Sequence, residues 1–235
     1  MGRVIADISM SLDGFVAGPD DGPGDLPIGR GGERLHRWMF ELASWRAQVG
    51  KDGGGDRDGG GQNSGGEDGG GQDSASAGAV QNGVASDLME EYFRRSGAIL
   101  IGRRMFDHGE PVWGDEPPFR VPVFVLTHRP RAAEAKRGGT SWNFVLDGVA
   151  SAVAQATAAA GERDVAVMGG GQVISACLAA GLLDELRLHL VPILLGGGVR
   201  LFADSADPAV GLEQTRVVSS PGVTHLFYTV RRPTA

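Results

Sequence analysis

The chain has 235 residues, 41% of them apolar, enough for the core of one large domain or two small ones. Its formal charge is −7, and Lys51–Asp73 alone holds six acids against two bases, so no concentrated basic face is left for nucleic acid. A single cysteine, Cys177, excludes an internal disulfide and a zinc knuckle, and a reducing, cytoplasmic setting is expected. Asp7 interrupts the run a signal peptide needs, and the apolar stretch Leu190–Leu195 is broken by Pro192, so neither export nor a membrane span is expected.

Val4, Ile5, Ile8 and Met10 mark a first strand that closes in the turn Leu12-Asp13-Gly14. Leu35, Trp38, Met39, Leu42, Trp45 and Val49 recur at helical spacing and predict one amphipathic helix over Arg34–Val49. The 39 glycines, about 17% of the chain against an average near 7%, crowd into the stretch after this helix. DGGGQNS and DGGGQDS form a near repeat without aliphatic or aromatic residues, so residues 50–85 are expected to be a disordered insertion within a single domain spanning 1–235. A calcium-binding glycine/aspartate repeat is the disfavoured alternative, since that architecture needs a periodic apolar residue to stack its turns.

Asp87 and Glu90 have capping-box spacing and predict a helix start, with Leu88, Met89, Tyr92 and Phe93 as the buried stripe before Gly97. Ala98–Ile101, Val121–Leu126 and Asn143–Leu146 read as short buried strands. Asp147 opens an alanine-rich helix that Gly161 ends, and Val165–Met168 is a further strand followed by Gly169-Gly170-Gly171 and a helix over Gln172–Ala180. Alternating residues around Leu186, Leu188 and Leu190, then Thr215–Ser219 and Val223–Val230 about Pro221-Gly222, predict antiparallel strands at the chain's end. The fold class is therefore α/β: a mostly parallel twisted sheet, helices on both faces, and a C-terminal antiparallel hairpin.

The segment Met168 to Ile174 has the chemistry of an anion cradle. Glycines allow close backbone approach, and the N-H groups of a helix start favour negative charge. It is not a Walker loop, for no Lys-Ser/Thr pair comes after it, and Ile174 stands where a GxGxxG pattern has its last glycine. Two other strand ends, Gly102-Arg103-Arg104 and Thr127-His128-Arg129, would lie beside it at the carboxyl edge of the sheet, where arginines suit a 2′-phosphate. Asp13 and Glu33 are the candidate proton donors or substrate anchors, on the expectation that burial raises a carboxyl pKa. The bland alternatives are a turn for Asp13 and a helix-start charge for Glu33. The five histidines show no metal-ligand spacing, and Cys177 reads as a small buried apolar residue.

Ile8-Ser9-Met10-Ser11-Leu12-Asp13-Gly14-Phe15-Val16-Ala17, Gly102-Arg103, Leu126-Thr127-His128-Arg129-Pro130, Met168-Gly169-Gly170-Gly171 and the tail from Ala180 to Gly198 together resemble the dihydrofolate reductase superfamily. The nearest branch is the C-terminal reductase domain of bacterial riboflavin biosynthesis. The resemblance implies NADPH as cofactor, with Gly169, Gly170 and Gly171 and the helix start Gln172 and Val173 at the pyrophosphate. Gly102, Arg103, Arg104, Thr127 and Arg129 would lie near the adenosine phosphate, and Ala6 and the loop from Asp13 through Gly14 to Ala17 at the nicotinamide. Met105 stands where relatives carry a phosphate-binding Thr. The implied activity is hydride transfer to a small heterocycle, such as 5-amino-6-(5-phosphoribosylamino)uracil or a pterin, and a homodimer is compatible with it. A nucleotide-binding module without catalysis, or a reductase of another imine or carbonyl, is the alternative.

Overall fold

The apolar run that opens the chain forms a strand at the heart of a sheet. The computed structural model describes residues 2–22, 28–48, 72–202 and 210–231. In chain order the first half comprises β1 (Val4–Ser11), β2 (Phe15–Ala17), a 3-10 turn (Gly32–Leu35), α1 (Arg37–Phe40), α2 (Ala43–Gln48), α3 (Gln72–Arg95), β3 (Ser96–Gly102), α4 (Arg103–Trp113) and β4 (Pro122–Leu126). The second half holds β5 (Glu134–Ala135), β6 (Ser141–Val145), α5 (Val149–Ala160), β7 (Asp164–Gly169), α6 (Gly171–Ala179), β8 (Glu185–Val191), β9 (Val199–Arg200), β10 (Gly211–Ser220) and β11 (Val223–Arg231).

Nine strands make one sheet in the order β10-β11-β8-β1-β7-β3-β4-β6-β5. From β8 to β6 every pair is parallel, while β11, β10 and β5 run antiparallel at the two edges. This is the expected fold class, with a second antiparallel edge. β2 and β9 form a separate short ribbon beside the end of β1.

Side-chain alternation assigns the two faces. Val4, Ala6 and Ile8 of β1 join the alanines of α5 and Val173, Ile174 and Cys177 of α6 on one face. Ile5, Ile99, Ile101, Val123 and Val125 pack on the other against Phe106 of α4, Tyr92 of α3 and Trp142. A third cluster sets Leu35, Trp38 and Leu42 with Ala85 and Met89 of α3 over Val191 and Val223. Among the described residues no helix is long and apolar enough to cross a membrane.

Three local expectations change. The helix read over Arg34–Val49 is broken into a 3-10 turn, α1 and α2, with the backbone leaving helical geometry at His36 (φ −113°, ψ 0°). Leu35, Trp38 and Leu42 still face the core, so anchoring of Trp38 to the sheet overrides uniform helix geometry. α3 begins at Gln72, which puts Asp87 and Glu90 in its interior rather than at a cap. Residues 72–85 of the expected insertion are therefore helical, extended by alanines and by the burial of Ala85; residues 49–71 lie outside the described residues. Beyond these, Gly102 at the end of β3 is also the N-cap of α4, a helix obscured in the sequence by Gly109 and Pro111.

Phe106 links α4 to the sheet, its ring 5.2 Å from Trp142 and 5.1 Å from Phe144, both edge-on. Phe106→Ala removes a fully buried ring, and urea unfolding is expected to show a loss of about 3–5 kcal/mol.

Candidate functional site

The carboxyl ends of β3 and β7 meet at glycines because there is no room for side chains between them. A Cβ on Gly102 would sit 3.0 Å from Val173 Cγ2 and 3.5 Å from the Gly170 nitrogen. One on Gly171 would come within 2.8 Å of Val16 Cγ2, and Gly169 holds φ +130° with the Met105 sulfur 3.4 Å from its Cβ position. α4 and α6 both start at this junction, with Gly102 and Gly170 as their N-caps and no side-chain capping bond at either. Their N-terminal amides thus converge on one exposed edge, the arrangement that attracts a phosphate.

One strand further out, Thr127 turns the chain: the Arg129 amide donates to its Oγ1 at 3.0 Å. Arg103 Nε donates to Asp107 Oδ1 at 2.7 Å, Arg129 pairs with the other oxygen of the same carboxylate, and Arg103 Nη1 reaches the Arg129 carbonyl at 3.3 Å. Despite the desolvation that opposes it, the two guanidiniums hold the Asp107 pKa below the usual carboxylate range. Asp107 escaped the sequence reading, although its i,i+4 spacing from Arg103 was a usable signal. Arg104 leaves this cluster and pairs with Asp21 at 2.8 Å. Gln172 is exposed at the start of α6, His128 is exposed beside Thr127, and Ala6 is buried in β1 opposite Val167.

Asp13 departs from expectation. Ser11 Oγ donates to it at 2.6 Å, and the Gly196 and Leu195 amides donate at 2.8 and 3.2 Å. With the Ser11 bond as the largest cause, its pKa falls from 3.8 to about 2, the reverse of the rise expected of a proton donor. Asp13 is a carboxylate at neutral pH and straps the loop after β8 to the β1–β2 turn. Arg200 Nη1 completes the strap at the Asp13 carbonyl, 3.2 Å away, and its guanidinium lies 4.4 Å from the Phe15 ring centroid. Glu33 is exposed in the 3-10 turn, outside the buried setting expected of it. Cys177 is buried, as read from the sequence, and burial pushes its thiol up to about 12.

The model of the RibD C-terminal domain matches residues 3–226. The chain belongs to the RibD C-terminal domain family. Among curated proteins it is similar to the uncharacterized protein YyaP of Bacillus subtilis (strain 168), 27% identical over 149 residues, or 59% of this chain and 76% of that one. Among solved structures it is similar to a putative riboflavin biosynthesis protein from Shewanella sp. PV-4, with 21% identity, a TM-score of 0.59, and 98% and 99% of the two chains covered. It also matches the Thermotoga maritima diaminohydroxyphosphoribosylaminopyrimidine deaminase/5-amino-6-(5-phosphoribosylamino)uracil reductase, with 13% identity and a TM-score of 0.51. There it covers 99% of this chain but 57% of that one. At these identities the likeness to the solved structures is one of fold.

The Asp13 strap has a pH signature. A carboxylate whose folded pKa is depressed stabilises above its ordinary pKa and stops doing so as pH falls through the folded value. Asp13→Asn is expected to lower Tm at pH 7, and the gap from the native chain is expected to close between about pH 4 and pH 2, as scanning calorimetry over a pH series would read.

Proposed function

We propose that this protein is an NADPH-dependent reductase that delivers a hydride to a small heterocycle, of the class of 5-amino-6-(5-phosphoribosylamino)uracil or a pterin. The observation that carries the reading is the close junction of Gly102 with Gly169–Gly171, where two helix starts without side-chain caps begin side by side. Membership in the RibD C-terminal domain family supports it. The residues fit the cofactor: Gly170 is exposed with open space where a Cβ would stand, and Gly102 and Gly171 let β3 and α6 pack closely beneath it. Arg103 and Arg129, drawn together by Asp107, set two guanidiniums where a 2′-phosphate is to be held. The Asp13–Ala17 turn, fixed by the Asp13 strap, borders the nicotinamide end. When bound, the dihydronicotinamide supplies the hydride, and the chain supplies orientation and exclusion of water.

Thermal unfolding tests the reading. At 100 times its Kd, NADPH is expected to add about 2.7 kcal/mol and raise Tm by roughly 5–10 °C, with a smaller shift from NADH. Arg103→Ala is expected to weaken NADPH by about 10–100-fold, the worth of a charge-assisted hydrogen bond, and to leave NADH unchanged. Absence of a shift with either nicotinamide cofactor overturns the reading. Screening pterins and ribosylaminopyrimidines for NADPH oxidation then identifies the acceptor.

A further inference from the structure

The two sides of the sheet are covered unequally. On the side that holds Ala6 and Ile8 of β1, α5 lies over β3, β4 and β7, and α6 over β7 and β3. Among the described residues neither helix extends across β11 and β10. α3, which does reach β10, packs from the opposite side, where Ala85 and Met89 sit over Val191 and Val223.

Strand register and alternation give the side chains left on the open side. Met10 of β1 stands beside Leu190 of β8, and Leu190 beside Thr224 of β11. On the outer pair, Thr224 stands beside Ser219, Leu226 beside Val217 and Tyr228 beside Gln214. All are uncharged. The charges of this hairpin lie on the other side: Arg216 stacks over Phe227, as does Arg187, and Glu213 pairs with Arg231. Val217 is 50% exposed and Leu212, beside Val230, is 41% exposed, so apolar side chains project from this surface. At its end lies a groove of about 290 Å³ lined by Leu12, Leu190, Pro192, Gly222 and Thr224.

The hairpin strands are 10 and 9 residues long, about 30 Å, and the four strands from β1 to β10 span about 19 Å. With the corner at Leu186, Leu188 and Val230 already buried, roughly 500 Å² of open face remains on one chain. Two such faces make about 1,000 Å², the size at which specific interfaces begin. Residues 50–71 carry no aliphatic or aromatic side chain, and 203–209 carry only alanines and one proline among apolar residues, so those stretches are not suited to cover it.

A second copy of the chain is suited. It carries the same formal charge of −7, which opposes approach except where both surfaces are uncharged, and this face meets its own image under that condition. The face also holds a projection and a recess together, as a self-complementary two-fold contact requires. A foreign partner would need only one of the pair. We propose that the open side of β8, β11 and β10 is the two-fold interface of a homodimer, a sheet-on-sheet contact in which the projecting side chains of each copy enter the recess of the other.

Sedimentation equilibrium of the full chain at micromolar concentration is expected to give twice the mass of one chain. Val217→Asp and Leu212→Arg each put a charge on the face at a position already exposed in the single copy. Each variant is expected to keep the native circular dichroism and to weaken association by about 100-fold, since the charge is left unpaired in an apolar contact. Arg216→Glu, on the opposite side of the same strand, is expected to remain dimeric. A native chain that sediments as a monomer overturns the proposal. So does a dimer that both face variants leave intact, or one that Arg216→Glu dissociates as readily, for the contact then lies elsewhere. Hydroxyl-radical footprinting reads the same face without substitution and covers the case of a variant that fails to fold. Leu212 and Val217 are expected to lose reactivity as the native chain is concentrated, while Val112, exposed on α4, keeps its own. Equal behaviour of the three overturns the interface.

Discussion

A buried polar side chain must find a partner, and on β1 that requirement organises everything around the strand. Its even positions, Val4, Ala6 and Ile8, ask only for apolar neighbours and receive α5 and α6. Its odd positions after Ile5 ask for specific atoms, because an unpaired polar group in the interior costs more than a hydrogen bond returns. Ser9 takes the Trp38 indole, Asp7 takes His189, and Ser11 takes the Phe15 amide while donating to Asp13. These bonds fix the seat of α1, the choice of β8 as neighbour and the course of the chain after the strand. Such directional demands select one arrangement where apolar packing tolerates several.

The opposite principle governs the ends of β3 and β7. There glycines stand in place of side chains, so two strand-to-helix turns pack closely, with Val173 over Gly102 and Val16 over Gly171. The charged residues near this edge are internally matched: Asp107 serves both Arg103 and Arg129, and Asp21 takes Arg104. An anion arriving at this edge therefore meets arginines already oriented rather than freely moving ones, which lowers the ordering cost of holding it.

The strands and the glycine turn were legible because each is written locally. Apolar runs of four to seven residues bounded by turn residues mark β3, β4, β6 and β7, and the Gly169–Gly171 triplet falls where β7 becomes α6. What escaped was written across long separations. The pKa of Asp13 is set partly by Leu195 and Gly196, 182 and 183 residues away, although Ser11 two residues before it was a local hint. His189 and His225 are 36 residues apart and meet only because β11 returns antiparallel beside β8. The polar positions 7, 9 and 11 in an otherwise apolar strand were the visible trace of that meeting. Asp87 misled for the converse reason: a local capping pattern is real but does not say whether the helix starts there, whereas Glu33 does stand in the first turn of the 3-10 segment.

The passage from α3 into β3 has no loop. The helix ends at Arg95, the strand begins at Ser96, and the Ser96 hydroxyl donates to the Tyr92 carbonyl at 2.7 Å. Because the helix is registered from its far end, by a strand in the middle of the sheet, the number of residues joining α2 to α3 is under no geometric obligation to the fold. Lengthening or shortening that connection changes the entropy of a closed loop only logarithmically. The glycine/aspartate repeat thus lies in the part of the chain where a change of length costs the sheet least.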